Sequence, residues 1–476
     1  MRRFSAFFLL LFFFYVAQAN NKTAAQANTI TRSSVTPPQS KLSTQTDIDF
    51  GLRYDSYFQS ADNLPASETS FQMQLKYDSQ DSTQSKKMHI IFGGYLKNNS
   101  TYIAAPEIYF QPHHQMSPAT AAKVTYGRRI FNDSMIDQEF NLGLINPFLT
   151  QDRLHYIDQG LMGLHVEMEQ KFWSLRLAYL PLYLPNQGPS VKEEDGKIVT
   201  ANRWALRPPT QFAFNNQNKA IVYSITDYKV QDILFKDGVS LSTRLGPEKD
   251  FPYIVLSYSR KPINEIVLAR ETYANLNIVG QVFLSPVVLY TKNFTADLRY
   301  ENQNTQWFIS YIQDYPENQT APTYYSIQNL QGIEGIAAGA HFDMQELLNW
   351  PLQWGLVAAK ITGGEIQDIN DDGSQNLFTF TKSRILFRQP VIASLNAALN
   401  RSGSFSSQIK WLYDLEQKGS ILSTLIAFHP VKTFNVMLGI DILGTEADAN
   451  SAQNGGDFLQ QYQANDRVYG GMQYVF

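Results

Sequence analysis

Hydrophobic and polar residues alternate along most of the chain after residue 46. In DIDFGLRYDSYF, residues 47–58, the apolar residues Ile48, Phe50 and Leu52 are separated by polar residues or glycine. The same period of two recurs in segment after segment as far as the last residue. Because successive side chains of a strand point to opposite faces, this pattern predicts an all-β protein whose strands have one apolar face.

Two architectures are built from such strands, a soluble sandwich and a transmembrane barrel. The predicted strands are about ten residues long, which suits a tilted strand that crosses hydrocarbon. Aromatic residues lie near strand ends, and short connections alternate with long ones. We therefore predict an antiparallel transmembrane β-barrel over residues 47–476, with about 18 strands within a range of roughly 16 to 20, long extracellular loops and short periplasmic turns.

The predicted strands and the connections between them give the expected topology. Candidate strands include residues 218–228, one or two strands in 264–291, and one or two in 377–399. If both termini are periplasmic, residues 169–173 and 429–432 are inner turns. The predicted extracellular loops are residues 132–159, 185–217, 315–332, 364–376 and 444–465.

The end of the chain carries a recognisable pattern. Val468, Gly470, Met472, Tyr474 and Phe476 fall on one apolar or small face of the final predicted strand. This ending resembles the C-terminal strand signature of Gram-negative outer-membrane β-barrel proteins. The resemblance implies an outer-membrane location, recognition by the barrel assembly machinery, and a last strand that closes the barrel against the first.

The beginning of the chain predicts export. MRRFSAFFLLLFFFYVAQAN has two arginines, a short apolar run and Ala17-Gln18-Ala19, which is the layout of a signal peptide over residues 1–19. The apolar run is shorter than the roughly 20 residues that span a bilayer. Residues 20–46 are mostly polar and are predicted to be a disordered arm.

Composition narrows the possible partners. The 476 residues carry a formal net charge of -4 with no basic arm, which argues against nucleic acid. The chain has no Cys, so disulfides cannot stabilise it. The expected partners are outer-membrane lipid and small hydrophilic solutes, and the sequence leaves the oligomeric state open.

Charged residues on the polar strand faces are candidates for the wall of a pore. An interior of about 18 strands is too wide for side chains alone to fill, so water, a loop or a plug must occupy it. A loop over residues 187–219, in which two arginines flank Trp204, is the predicted constriction; the alternative is a surface loop with solvated arginines. The pore-wall and constriction candidates are Arg53, Arg176, Arg203, Arg207, Arg299, Lys410 and Asp414.

A calcium loop is a weaker candidate. Asp368, Asn370 and Asp372 match the opening D-x-N-x-D-G, but the twelfth position is Thr379 and lacks the bidentate carboxylate. A polar turn explains the same letters, so no cofactor is expected and calcium stays open.

The predicted function is that of an outer-membrane channel that passes small hydrophilic solutes passively. The alternative is a plugged structural or adhesive barrel whose outer loops bind a partner. A barrel hydrolase is a third possibility, but no catalytic motif such as G-x-S-x-G or H-E-x-x-H occurs, so we do not expect an enzyme.

Overall fold

The structure is a computed structural model. It describes residues 43–59, 64–80, 84–97, 100–117, 120–200, 202–205, 208, 210–214, 217–247, 249–274, 279–319, 325–348, 350–368, 383–400, 402–446 and 457–476. The predicted signal peptide and residues 20–42 of the predicted arm lie outside this part of the chain. The first strand begins at Ser43, four residues before the predicted start at 47.

Eighteen antiparallel strands form one closed sheet, which confirms the predicted fold and strand number. Each strand pairs with its neighbours along the barrel. We number them in chain order: β1 Ser43–Tyr57, β2 Ser67–Gln80, β3 Gln84–Tyr95, β4 Ser100–Ser117, β5 Thr120–Arg129, β6 Leu161–Glu169, β7 Trp173–Leu182, β8 Gly238–Leu245, β9 Tyr253–Pro262, β10 Tyr290–Glu301, β11 Thr305–Glu317, β12 Ile333–Asp343, β13 Leu352–Gly363, β14 Pro390–Ala398, β15 Phe405–Asp414, β16 Gly419–Val431, β17 Phe434–Thr445 and β18 Arg467–Val475.

The last strand closes the barrel against the first. β18 pairs antiparallel with β1 from Asp49 opposite Val475 to Tyr57 opposite Arg467. The Phe476 N–H continues the ladder by donating to the Ile48 carbonyl at 2.9 Å. This closure leaves the barrel sheet without an open edge.

The two faces of the strands differ in polarity. On β1, Ile48, Phe50 and Tyr54 point outward and are exposed, whereas Asp49 and Asp55 point inward and are buried. The terminal Phe476 is also on the outer face, with 72% of its surface exposed. The barrel therefore has an apolar exterior and a polar wall on the β1 side of its interior.

The two ends of the barrel have different connections. Short turns such as 170–172 and 432–433 lie at the end that holds both Ser43 and Phe476, as predicted. We call this the short-turn end. The opposite, long-loop end carries the connections 130–160, 183–237, 263–289, 364–389 and 446–466.

A second, six-stranded sheet contains segments that were predicted to be barrel strands. Gln217–Ile225, which overlaps predicted strand 218–228, pairs in parallel with Val279–Val287 and is not a barrel strand. The prediction for 264–291 is likewise wrong, because Val267–Ala274 and Val279–Val287 both belong to this second sheet, whereas residues 377–399 contribute one barrel strand. Alternation shows that a strand has two different faces but not which sheet it joins. The sheet order is Gln211–Phe214, Gln217–Ile225, Val279–Val287, Val267–Ala274, Tyr325–Leu330 and Ile366–Asp368.

The helices in the described ranges are few and short. None of them is long and apolar enough to span a bilayer. They are α1 Met135–Phe140, α2 Val230–Leu234, α3 Gln345–Leu348 and α4 Phe458–Tyr462, with a 3-10 turn at Gln463–Asn465. Two small ribbons pair Phe148–Leu149 with Ile157–Asp158, and Lys192–Glu194 with Lys197–Val199.

An apolar core fills one side of the barrel interior. Inward side chains of β11 to β17, including Phe308, Ile312 and Ile361, pack with Ile136 of α1 and Leu459 of α4 in one buried cluster. We call this the dry side. Its close packing means that added volume cannot be absorbed without strain.

A pair of neighbouring alanines on β12 tests this assignment. Ala337 faces the dry side and is buried, whereas Ala338 faces outward and is exposed. We expect Ala337→Leu to lower the free energy of unfolding by about 1–3 kcal/mol through overpacking. Urea unfolding in lipid vesicles measures this, with Ala338→Leu as the control. Equal effects of the two variants would contradict the assigned facing.

Candidate functional site

The connection between β5 and β6, residues 130–160, folds back and contacts several parts of the inner wall. We call it the inserted segment. Its helix α1 begins after Ser134, whose hydroxyl accepts from the Asp137 N–H, and ends at Asn141 in the left-handed conformation with φ of 58°. The left-handed residue ends the helix, so the chain leaves the helix axis at this point.

Asp133 fixes the start of the inserted segment to one wall. Its carboxylate accepts from the Arg176 guanidinium on β7 and from the Ser242 hydroxyl on β8 at 3.1 Å. The same guanidinium lies 3.9 Å from the centre of the Phe131 ring. Arg176 was predicted to line the pore, and the structure places it inside the barrel as an anchor of the segment.

Asp297 on β10 binds the next residues of the inserted segment. Its carboxylate accepts the Met135 N–H at 2.7 Å and the Ser310 hydroxyl at 2.5 Å, and only 1% of the residue is exposed. Arg299 donates to the same carboxylate at 2.6 Å and to the Asn132 carbonyl at 3.0 Å. Arg299, another predicted pore residue, therefore also holds the inserted segment.

Two carboxylates of α1 shape the middle of the segment. Asp137 accepts the N–H groups of Leu144 and Ile145 at 2.8 and 3.1 Å. Burial raises the pKa of Asp137 to about 7, although both backbone donors favour its charged form. Glu139 contacts His341 of β12 at 2.9 Å, so α1 is held to a strand two positions from β10.

A cluster of charges ties the returning half of the segment to the barrel closure. Arg467, the first residue of β18, contacts Asp441 of β17 at 2.8 Å and Asp152 of the segment at 2.7 Å, and it is 2% exposed. Its guanidinium also lies 3.6 Å from Asp55 of β1. The full set, which we call the seam cluster, is Arg53, Asp55, Asp152, His155, Asp441 and Arg467.

The remaining seam contacts balance the buried charges. Arg53 contacts Asp55 at 2.7 Å and Asp152 at 3.4 Å, and His155 contacts Asp441 at 3.1 Å. Burial opposes the charge on Asp152, but Arg467, His155 and Arg53 together hold its pKa well below the usual range. Arg53, predicted to line the pore, is on the lumen face and remains partly exposed.

Arg203 has a different environment from either prediction. It is 3% exposed, not solvated, and it donates to the carbonyls of Pro65, Gln59 and Ala464 at 2.6–3.0 Å. Trp204 beside it is buried in the dry side. Arg203 therefore joins three stretches of the long-loop end, while Arg207 lies outside the described residues.

The two predicted pore residues on β15, Asp414 and Lys410, have different environments. Asp414 is fully buried and accepts four backbone N–H groups, those of Arg388, Gln389, Glu416 and Gln417, at 2.7–3.1 Å. It organises two connections. Lys410 lies on the same strand face and is exposed.

Ion pairs between inward side chains run along the wall from β1 to β6. Their basic members are 21–43% exposed, so water reaches them inside the barrel. By contrast, the pair Arg384 and Asp314 near the dry side is 3% and 0% exposed. The pairs of this charge-paired wall are Lys76–Asp49, Lys87–Glu107, Lys123–Glu169 and Arg129–Glu167.

The calcium hypothesis remains a prediction. Asp368 ends the short strand Ile366–Asp368, and Asn370 and Asp372 lie outside the described residues. Within the part of the chain that the structure describes, no group of three or more His, Asp or Glu residues is arranged to hold a metal ion.

These features define the class of protein. A closed barrel of 18 strands, with an apolar exterior and a lumen lined by charges, pairs each strand on both sides and is the architecture of an outer-membrane β-barrel. The short-turn end, which holds Ser43 and Phe476, is then periplasmic and the long-loop end extracellular.

The chain is similar to several solved structures. The chain is similar to Pseudomonas aeruginosa OpdQ at 10% identity and a TM-score of 0.44, covering 91% of this chain and 96% of that one. It is similar to Pseudomonas aeruginosa OccD3 (OpdP) at 10% identity and a TM-score of 0.43, covering 91% of each. A mutant of the Rh. blastica porin has 10% identity, a TM-score of 0.38 and coverage of 92% and 100%. No family model and no curated protein matches. These similarities concern the fold alone and specify neither solute nor mechanism.

Removing the Asp297 carboxylate tests whether it anchors the inserted segment. We expect Asp297→Ala to weaken docking by about 3 kcal/mol, because Met135 N–H and Arg299 lose a buried partner. Limited proteolysis of the folded barrel should then cut within residues 130–160. Asp343→Ala, at the periplasmic end, is the control. Unchanged protection in Asp297→Ala would show that Asp297 is dispensable for docking.

Proposed function

We propose that the protein is an outer-membrane channel that passes small hydrophilic solutes passively along the charge-paired wall, beside the inserted segment. The observation that carries this proposal is the partial exposure of the inward ion pairs on β1 to β6. A wall of paired charges favours water and polar solutes without a large net field.

The inserted segment sets the width of the proposed passage. Its anchors to β7, β10, β12 and the seam cluster leave the dry side packed and restrict solutes to the opposite side of the lumen. The solutes that pass are therefore small, and transport needs no energy source beyond their gradient.

A closed barrel that binds a partner through its extracellular end is the second candidate. The dry side and the six-stranded sheet favour it, since both add ordered structure that free passage does not need. Planar-bilayer recording on residues 20–476, refolded in detergent, separates the two. Discrete current steps support the channel, whereas a folded, heat-modifiable barrel without steps supports the closed barrel.

A variant within the inserted segment sharpens this experiment. Asp152→Asn removes the negative charge that Arg467 and Arg53 contact, so the returning half of the segment should detach more often. We expect larger or more frequent steps by severalfold. Asp158→Asn is the matched control because this exposed carboxylate is in the same segment and has no ion pair among the described residues. Equal conductance in both variants would argue against a constriction held by the seam cluster.

A further inference from the structure

A recess of about 220 Å³ lies in the lumen between the inserted segment and the wall of β1 to β4 and β17 to β18. The seam cluster borders it on one side, and Trp204 contributes to its lining. It adjoins the charge-paired wall through Asp49, so a solute on the proposed passage meets it.

The charges around the recess are already compensated. Asp49 is paired with Lys76 at 2.7 Å, and Asp152 with Arg467 at 2.7 Å. Glu68 is buried and accepts from the Tyr57 hydroxyl at 3.2 Å. A charged ligand would have to break such pairs to find a counter-ion, whereas a neutral ligand leaves them intact.

Neutral hydrogen-bonding groups complete the lining. Ser70, Gln72, Tyr102 and Gln473 border the recess, and among the described residues no side-chain hydrogen bond engages them. Hydroxyl and amide groups both donate and accept, which matches the donor and acceptor character of a ligand hydroxyl. A ligand rich in hydroxyl groups satisfies this set best.

The Tyr102 ring is held in place by a glycine on the neighbouring strand. A Cβ at Gly93 would lie 2.4 Å from the ring and its hydroxyl, so the ring occupies the space that a side chain would fill. A fixed aromatic ring offers contact area to the C–H face of a ligand at little entropic cost.

We propose that this recess binds neutral polyhydroxylated solutes of about monosaccharide size, a class consistent with a small polar pocket that has one aromatic side. The proposal rests on the proposed channel function and names a solute class for it. Gln72 and Gln473 bind hydroxyl groups, and Tyr102 contacts the apolar face of the solute.

Intrinsic fluorescence tests binding independently of current. Residues 20–476, refolded in detergent, are titrated with glucose, gluconate and glucosamine, which share a skeleton and differ in charge. We expect glucose to change the emission most, and Trp204→Phe to remove most of that change. Gln72→Leu combined with Gln473→Leu should weaken glucose binding about tenfold, the effect of losing two hydrogen bonds. Gln408→Leu, on a lumen face outside the recess, is the control.

The outcomes distinguish this inference from the proposed function. Tighter binding of gluconate or glucosamine than of glucose, or no binding of any of them, overturns the neutral-solute site. Current steps without a glucose effect preserve the channel and overturn the site, whereas glucose binding without steps supports the site and overturns the channel. If the double variant fails to fold, Tyr102→Leu is measured, and unchanged glucose binding in it would overturn the site, because this variant removes the aromatic ring that contacts the solute.

Discussion

The buried guanidinium of Arg467 is the contact on which the arrangement of the lumen depends. It meets carboxylates from β17 and the inserted segment at hydrogen-bond distance and lies near a third from β1. Burying a cation is costly unless several acceptors surround it, so none of the three elements can move away without exposing an uncompensated charge. Closure of the barrel and docking of the segment are therefore energetically coupled, since both use the same side chain.

This coupling explains why the interior has two different sides. Once Asp152 holds the returning half at the seam and Asp297 holds the outgoing half on β10, α1 packs its apolar residues against β11 to β13. The wall from β1 to β6 is less completely covered. Leu149 and Ile157 of the inserted segment pack on Ile91 and Ala104, but the basic members of the ion pairs stay partly exposed. A restricted polar passage and a packed core can thus coexist in one barrel.

The sequence predicts the barrel more completely than its lumen. Period-two alternation and the terminal pattern to Phe476 are local properties, and they give the strand number and the closing strand. The pairing of Arg299 with Asp297 is also local, because residues two apart share a strand face.

The insertion of residues 130–160 depends on contacts that are distant in the sequence. The sequence pattern favoured residues 187–219 as the constriction instead. The run FNDSMIDQEFNLGLINPFL, 131–149, does carry a signal, since exposed loops rarely hold so many large apolar residues. Its partners on β7 and β10 lie far along the chain, so only the fold identifies them.

The most direct test of a lumen with one hydrated and one dry side is thiol labelling, because the chain has no Cys of its own. Single cysteines are placed at Lys123 on the charge-paired wall and at Ile312 on the dry side, and the folded barrels are treated with a membrane-impermeant thiol reagent. We expect rapid labelling at position 123 and protection at position 312 until the barrel is unfolded. Equal labelling of both positions in the folded protein would contradict it.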